Sequence, residues 1–366
     1  KKIGFDEVFL TEYFYLCARL KASEGKENLK SLCFLAHLDT SDAASGKNVC
    51  AKITENYDGK AILLKSDTKN LFIDPQEEIE LLNCIGDTII HSDGNTLLGA
   101  DNKAGIAEII TAIEYLIKNK LPHGQIEVIF SADEETGYGM DKVPLDWIES
   151  EFCYTLDGSS LGEVEYECFN AYKSEICFIG QATHTGTARG KMKNALTMAA
   201  SFINLLPRNE SPETTDNYEG FFTAMNLSGT IEEAKLIVFI RDFDSEVMQE
   251  RLKRLEIFAK TIEAQFPGSK VLLTHSEQYK NMKEALLKKP EALSLVKKAL
   301  DELGIEMISK PIRGGTDGSR LSEMGKPSPN IFTGGHAFHS RKEWASLSQM
   351  VWAVKTILKI IEINTR

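Results

Sequence analysis

The stretch FSADEETG, Phe130 to Gly137, sets Asp133, Glu134 and Glu135 side by side after the apolar run IEVIF. Like charges that close disfavour each other's ionised forms, so either a cation sits among them or they splay into solvent. Other groups of the same chemistry recur along the chain. AHLD gives His37 and Asp39, two apart and so on one face of an extended segment. GAD gives Asp101 just before a helical pattern, LDG gives Asp157, and GGHAFHS gives His336 and His339. Singly, each has an ordinary explanation. Asp101 would serve as a helix N-cap, Asp157-Gly158 as a turn, the acids as a solvated loop, and each histidine as a satisfied core or surface residue. Together they fit a metal constellation. Imidazole nitrogen with carboxylate oxygen suits zinc and tolerates manganese or cobalt. Five ligands with one carboxylate able to bridge suit two metals better than one. Of two adjacent glutamates, one can ligate while the other faces a bound water as general base.

These groups need elements that bring them together. SLCFLAHLDT reads as a short buried strand ending in polar residues. TIIHSDGNTLLGADNKAGIAEIITAIEYLIKN reads as a glycine-containing loop entering a long helix, with Ile106, Ile109, Ile110, Ile113, Leu116 and Ile117 in helical period. GQIEVIFSADEETG and EFCYTLDG supply two more strands. Strands alternating with helices predict an α/β layer with a mostly parallel sheet, whose sites gather beyond the carboxyl ends of the strands. From about Glu165 the texture changes to strand, helix, two strands, helix, strand, which is the ferredoxin-like order. The expected organisation is a catalytic α/β domain over 1–167 and 281–366, interrupted by an α+β domain over 168–280.

Composition narrows the function classes. The chain has 366 residues and a net charge of −12. That balance disfavours a nucleic-acid partner and an anionic membrane surface. No segment approaches the long uncharged apolar run of a membrane helix, and the opening KKIGFDEVFL lacks the features of a secretory signal. The seven cysteines are scattered, with no CxxC pair, as expected of reduced thiols in a cytoplasm.

The motifs AHLDTSDAASGKNV, TLLGADNKAGIAEI, SADEETGYG, HTGTARGKMKNA, VFIRDFD and PIRGGTDGSRLSEMGKPSPNIFTGGHAFHSRKEW resemble, in order, the tripeptide-aminopeptidase (peptidase T) branch of the M20 family of co-catalytic di-zinc metallopeptidases. The resemblance runs from about Gly4 to the C-terminus. It implies that His37 and Asp157 hold one zinc, that Glu135 and His339 hold the other, and that Asp101 bridges them. Glu134 would be the base and proton shuttle. Asp39 would orient His37 through its other ring nitrogen. His339, directly before the small residue, would be the ligand rather than His336. His184 would help polarise the scissile carbonyl from the inserted domain, which would act as a lid or dimerisation module in a monomer or homodimer. Arg241 on that domain and Arg313 on the catalytic domain would grip a peptide carboxylate, with a structural ion pair as the alternative for each. The resemblance also implies a cis peptide between Asp101 and Asn102. The substrate would be a short peptide attacked by a zinc-activated water.

The sequence departs from the family's pattern in two places. It begins late, since family members carry a helical region before the segment matching GFDEV. It also has Ser159 where glycine usually follows the DG of DGSSLGE, which bears on substrate fit there. The same ligand set would serve a related di-zinc amidohydrolase, whether an N-acyl amino acid deacylase or a carboxypeptidase. A non-catalytic metal-binding protein would have no use for Glu134.

Overall fold

The computed structural model describes residues 2–66 and 70–366. Contacts divide the chain into two compact units, one comprising Lys1–Tyr166, Met282–Lys310 and Thr316–Arg366, the other Glu167–Asn281 and Pro311–Gly315. The second unit therefore takes in slightly more than the expected 168–280. Arg313, expected on the catalytic domain, falls within the second unit through the short Pro311–Gly315 segment.

The first unit is built on a seven-stranded sheet in the order Glu7–Leu10, Leu16–Leu20, Ile126–Ser131, Leu32–His37, Cys153–Gly158, Asn330–Phe332, Val164–Glu165. The four middle strands run parallel and the flanking pairs antiparallel. Leu32–His37 and Ile126–Ser131 are buried at every position. Parallel strands covered on both faces read as continuous apolar runs for this reason. The helix Ala100–Lys118 packs on Leu32–His37, on Cys153–Gly158 and on the helix Leu347–Asn364. Gly105 permits that approach, because a Cβ there would lie 2.1 Å from the Leu156 carbonyl oxygen.

Sequence periodicity missed one element that matters. Ile89–Ser92, read as part of a loop, is a strand in a second sheet ordered Gly335–His336, Trp344–Ser346, Ile89–Ser92, Ala51–Thr54. Its partners lie far away in sequence, so a four-residue apolar segment carried no local signal of pairing.

The second unit has the expected β-α-β-β-α-β order. Its strands Asn170–Ile179, Phe221–Gly229, Glu233–Asp242 and Lys270–Tyr279 alternate with the helices Ala195–Leu205 and Ser245–Gln265. All pairings are antiparallel, and Glu233–Asp242 and Asn170–Ile179 lie in the middle. One sheet face, carrying Leu236, Val238, Ile240, Ile176 and Phe178, is buried against Met198, Phe202, Leu252 and Leu255 of the helices.

Candidate metal centre

The centre forms where the parallel strands end. His37 is the last residue of its strand, Asp157 is next to last in Cys153–Gly158, and Glu134 and Glu135 follow Ile126–Ser131 by a short turn. Asp101 stands near the start of Ala100–Lys118, yet it caps nothing. The N-cap is Gly99, and Asp101 has non-helical angles of φ −80° and ψ 98°. The Asp101–Asn102 peptide is cis, as the resemblance implied.

Two groups of side chains converge here. His37, Asp101 and Asp157 form one, and Asp101, Glu135 and His339 the other, with donor atoms inside each group within 4.8 Å of one another. Asp101 belongs to both. Its Oδ1 lies 2.8 Å from His37 Nε2 and its Oδ2 lies 3.0 Å from His339 Nε2. His37 Nε2 is also 3.5 Å from Asp157 Oδ1, and His339 Nε2 is 3.0 Å from Glu135 Oε2. The centre is thus a chain of alternating acids and imidazoles.

Electrostatics show what such a set would attract. Burial, then Asp157 and Asp317, pushes the Glu134 carboxyl well above the usual range. Burial and Asp101 raise Glu135. Burial likewise raises Asp157, against the pull of His37. Burial draws His37 down, but the charge of Asp157 and the bonds to Asp101, Asp157 and Asp39 lift it strongly overall. Asp101 resists its burial because both imidazoles hold it, and its pKa falls to about 2. Positive charge on the imidazoles would keep the shared acid ionised. A divalent cation between the same nitrogen and oxygen atoms would do so more strongly. Glu135 Oε1 fits that role, being buried with no hydrogen-bond partner.

Asp39 does more than its expected task. His37 Nδ1–H has its nearest acceptor in the Asp39 main-chain carbonyl at 3.0 Å, with the carboxylate Oδ1 at 3.4 Å. That leaves Nε2 facing the two aspartates. The Asp39 carboxylate accepts mainly from the main-chain N–H groups of Glu134 (3.3 Å) and Glu135 (3.0 Å). It therefore ties the acidic turn to the end of the His37 strand. Asp133, in the same turn, takes φ 67°.

The two C-terminal histidines differ in their surroundings. His336 is buried, stacks on Trp344 at a centroid distance of 4.0 Å, and bonds Ser159 Oγ through Nδ1 (3.2 Å) and Gln349 Oε1 through Nε2 (3.1 Å). Burial holds its pKa down at about 4, so it is a neutral, satisfied core residue. His339 points the other way, into the Asp101–Glu135 group. Ser159, the departure from the family's glycine, also donates to the Gly335 carbonyl at 2.8 Å. It braces the strand leading to His339 from the side of His336.

The remaining expected residues lie in the second unit. His184 is exposed, and its Nδ1 accepts from Gly186 N–H at 3.2 Å, which leaves Nε2 to carry a proton. Arg241 donates to the carbonyls of Tyr172 (3.2 Å) and Ile240 (2.9 Å) and lies over the rings of Phe239 and Tyr279. Arg313 donates to the carbonyls of Asn217 (2.9 Å) and Glu219 (2.8 Å) and to Thr215 Oγ1 (2.8 Å), and it covers Phe169 and Phe221. Among the described residues neither arginine forms an ion pair, and each holds main-chain carbonyls.

Two acids escaped notice in the sequence although both lie in motifs quoted above. Asp317 is buried behind Glu134, accepts from the Ser131 hydroxyl, and has its pKa pushed up to about 7 by burial. Gly139 makes room for it, since a Cβ there would sit 2.1 Å from Asp317 Oδ1 and 2.9 Å from Glu134 Cα. Glu343 is the second. The only local signal for either was an acid next to a histidine or glycine cluster, which is too common to single out.

Comparison with known proteins gives the family. A family model described as Peptidase family M20/M25/M40 matches residues 91–363. A protein named Peptidase T from Clostridium perfringens is 46% identical over 364 residues, 99% of this chain and 89% of the relative. Another Peptidase T, from Halothermothrix orenii, is 44% identical over the same share of each. Among solved structures, the aminopeptidase PepT from Bacillus cereus aligns with a TM-score of 0.79 at 21% identity, covering 100% of this chain and 90% of that one. That likeness shows the fold.

Proposed function

Because the chain belongs to peptidase family M20/M25/M40, we propose that it is an aminopeptidase removing the N-terminal residue of short peptides, tripeptides above all. The observation that carries this reading is the shared carboxylate. Asp101 reaches one histidine with each oxygen, while Glu134 stands beside Glu135 in neither ligand group. We assign His37 and Asp157 to one zinc, Glu135 and His339 to a second, and Asp101 to both; manganese or cobalt would suit the same donors. Bound there, such cations would lower the pKa of a water and polarise a substrate carbonyl.

The chain's own residues do the rest. Glu134 takes the proton of the attacking water and later returns it to the leaving amine. Burial, Asp157 and Asp317 raise its pKa, which helps it hold a proton between the two transfers. Asp39 keeps Glu134 and Glu135 in register with His37 through the turn it holds. His184 offers an Nε2–H donor for a carbonyl oxygen, and Arg241 and Arg313 are assigned to a substrate carboxylate. We read the second unit as a lid or dimerisation module, which sedimentation velocity and substrate-dependent protease protection would decide. Among the described residues no helix is long and apolar enough to cross a membrane. The seven free cysteines support a cytoplasmic location.

The test is a panel of di-, tri- and tetrapeptides, free and N-acetylated, assayed after chelation and after zinc is restored. Free tripeptides should be cleaved fastest, and only with metal. Faster cleavage of the N-acetylated set would favour the amidohydrolase reading. Undiminished activity after complete chelation would end the metal reading.

A further inference from the structure

The backbone that carries Asp101 is held by a residue outside both ligand groups. Glu343 is buried, with 1% of its surface exposed. Its Oε2 accepts from Gly99 N–H at 2.7 Å and its Oε1 accepts from Asp101 N–H at 2.9 Å. Those two donors flank Ala100, the first residue of a helix whose N-cap has no side-chain hydrogen bond. The first amides of a helix have no partner within it. Here a carboxylate 242 residues further along the chain supplies the acceptors. Asp101 is not fixed by helical geometry, as its φ and ψ of −80° and 98° show. Its aim therefore depends on what holds its main chain.

Glu343 is itself anchored. It immediately precedes the strand Trp344–Ser346, which pairs with Ile89–Ser92 on one side and Gly335–His336 on the other. The loop between Gly335–His336 and Trp344–Ser346 also carries His339, whose Nε2 lies 3.0 Å from Asp101 Oδ2. One loop thus grips Asp101 at two points: His339 at the carboxylate and Glu343 at the amide.

We propose that Glu343 is a positioning residue for metal binding, fixing the aim of the Asp101 carboxylate and so setting the affinity of both cation sites together. Hydrogen bonds to a charged acceptor are the shorter and stronger kind, and two from one carboxylate fix orientation as well as distance. Outer partners that orient ligands are worth about 10–100-fold in metal affinity when removed. Glu135, His339, His37 and Asp157 each serve one group, whereas Asp101 serves both. An error in the aim of Asp101 is consequently felt at both sites. This inference rests on the reading that the two groups hold cations, and the experiment separates the two.

Equilibrium dialysis against buffers of graded free zinc would be run on the full chain, on Glu343→Ala, on Glu343→Gln and on Glu135→Ala. Failure of the wild type to bind two zinc ions overturns the metal reading itself. With the wild type filled, Glu343→Ala should shift both sites about 10–100-fold to weaker binding. Glu343→Gln keeps one acceptor oxygen and should shift both by less, with turnover recovering at saturating zinc. Glu135→Ala should lose one site. If Glu343→Ala does not fold, Glu343→Gln carries the comparison. A wild-type zinc isotherm in the folded Glu343 variants overturns the proposal. So does a shift confined to one site, or a lowered metal-free melting temperature with zinc affinity intact.

Discussion

Replacing Glu134 by glutamine separates the proton carrier from the ligands. Glutamine is close to isosteric with glutamate and cannot take a proton from water. Glu134 contributes no atom to either group. What Asp39 holds is its main-chain N–H, which survives the change. The ligand atoms of His37, Asp101, Asp157, Glu135 and His339 should stay where they are. A positioned general base is worth about 10²–10⁴-fold. Burial, Asp157 and Asp317 raise the Glu134 pKa above the ordinary carboxylate value, and a stronger base contributes more within that range. The expected loss in kcat/KM is about 10³–10⁴-fold, or about 4–5.5 kcal/mol of barrier. Zinc content and tripeptide turnover are measured on one sample. The mirror variant is Glu135→Gln, which replaces a side chain whose Oε2 lies 3.0 Å from His339 Nε2 and whose Oε1 has no partner. It should lose zinc and rate together. If zinc falls in step with rate in Glu134→Gln, or both zinc ions persist in an inactive Glu135→Gln, the roles of the two glutamates are reversed.

His336→Asn should leave the zinc isotherm unchanged while lowering stability by about 1–3 kcal/mol, since it breaks buried hydrogen bonds; His339→Asn should lose one zinc, and the opposite pattern would reassign the ligand. Glu108 is buried with neither oxygen partnered, and burial raises its pKa well above the ordinary value. With its folded pKa raised, it holds its proton more tightly folded than unfolded, so its contribution is fully present below the unfolded value of about 4.3 and is lost by up to about 1.4 kcal/mol per pH unit as pH rises toward the folded pKa. Denaturant curves of metal-free wild type and Glu108→Gln between about pH 5 and about pH 7 should diverge with the glutamine variant gaining, and parallel curves would refute this. Amidating the C-terminus of a tripeptide should cut kcat/KM at least about tenfold in the wild type. In Arg313→Ala the free and amidated peptides should become alike; equal cleavage of both by the wild type would leave Arg241 and Arg313 with their main-chain contacts as their whole role.

What was legible in the sequence follows from the range of the interactions. The buried strands Leu32–His37 and Ile126–Ser131 and the helix of Ala100–Lys118 announce themselves by local apolar pattern. So does the order of elements in the second unit. His37, Asp101, Glu135 and Asp157 were readable as candidates because each stands at the boundary of such an element, whereas His339 was preferred to His336 by resemblance. Ile89–Ser92 was missed because its strand character depends on partners at Ala51–Thr54 and Trp344–Ser346. Glu343 was missed for the same reason, since its hydrogen bonds reach across 242 and 244 residues of chain. Arg313 was placed in the wrong unit because the sequence around it continues the texture of its neighbours, while its three hydrogen bonds all go to residues between 215 and 219.

That last feature bears on how the chain acquires its structure during synthesis. Domains generally fold as units, N-terminal first, while the ribosome is still working. The sheet and helices of the second unit lie within Asn170–Tyr279 and can assemble once that stretch has emerged. The segment around Thr215 to Glu219 cannot be finished then. Its carbonyls and the rings of Phe169 and Phe221 wait for a guanidinium made 98 residues after Thr215. In the interval the Asn217 and Glu219 carbonyls lack their Arg313 donor, while Phe169 can already pack on Phe221 and Phe243. A ribosome that pauses before Arg313 would prolong that interval, and one that terminates early would release a second unit with its sheet complete and its loop unfastened.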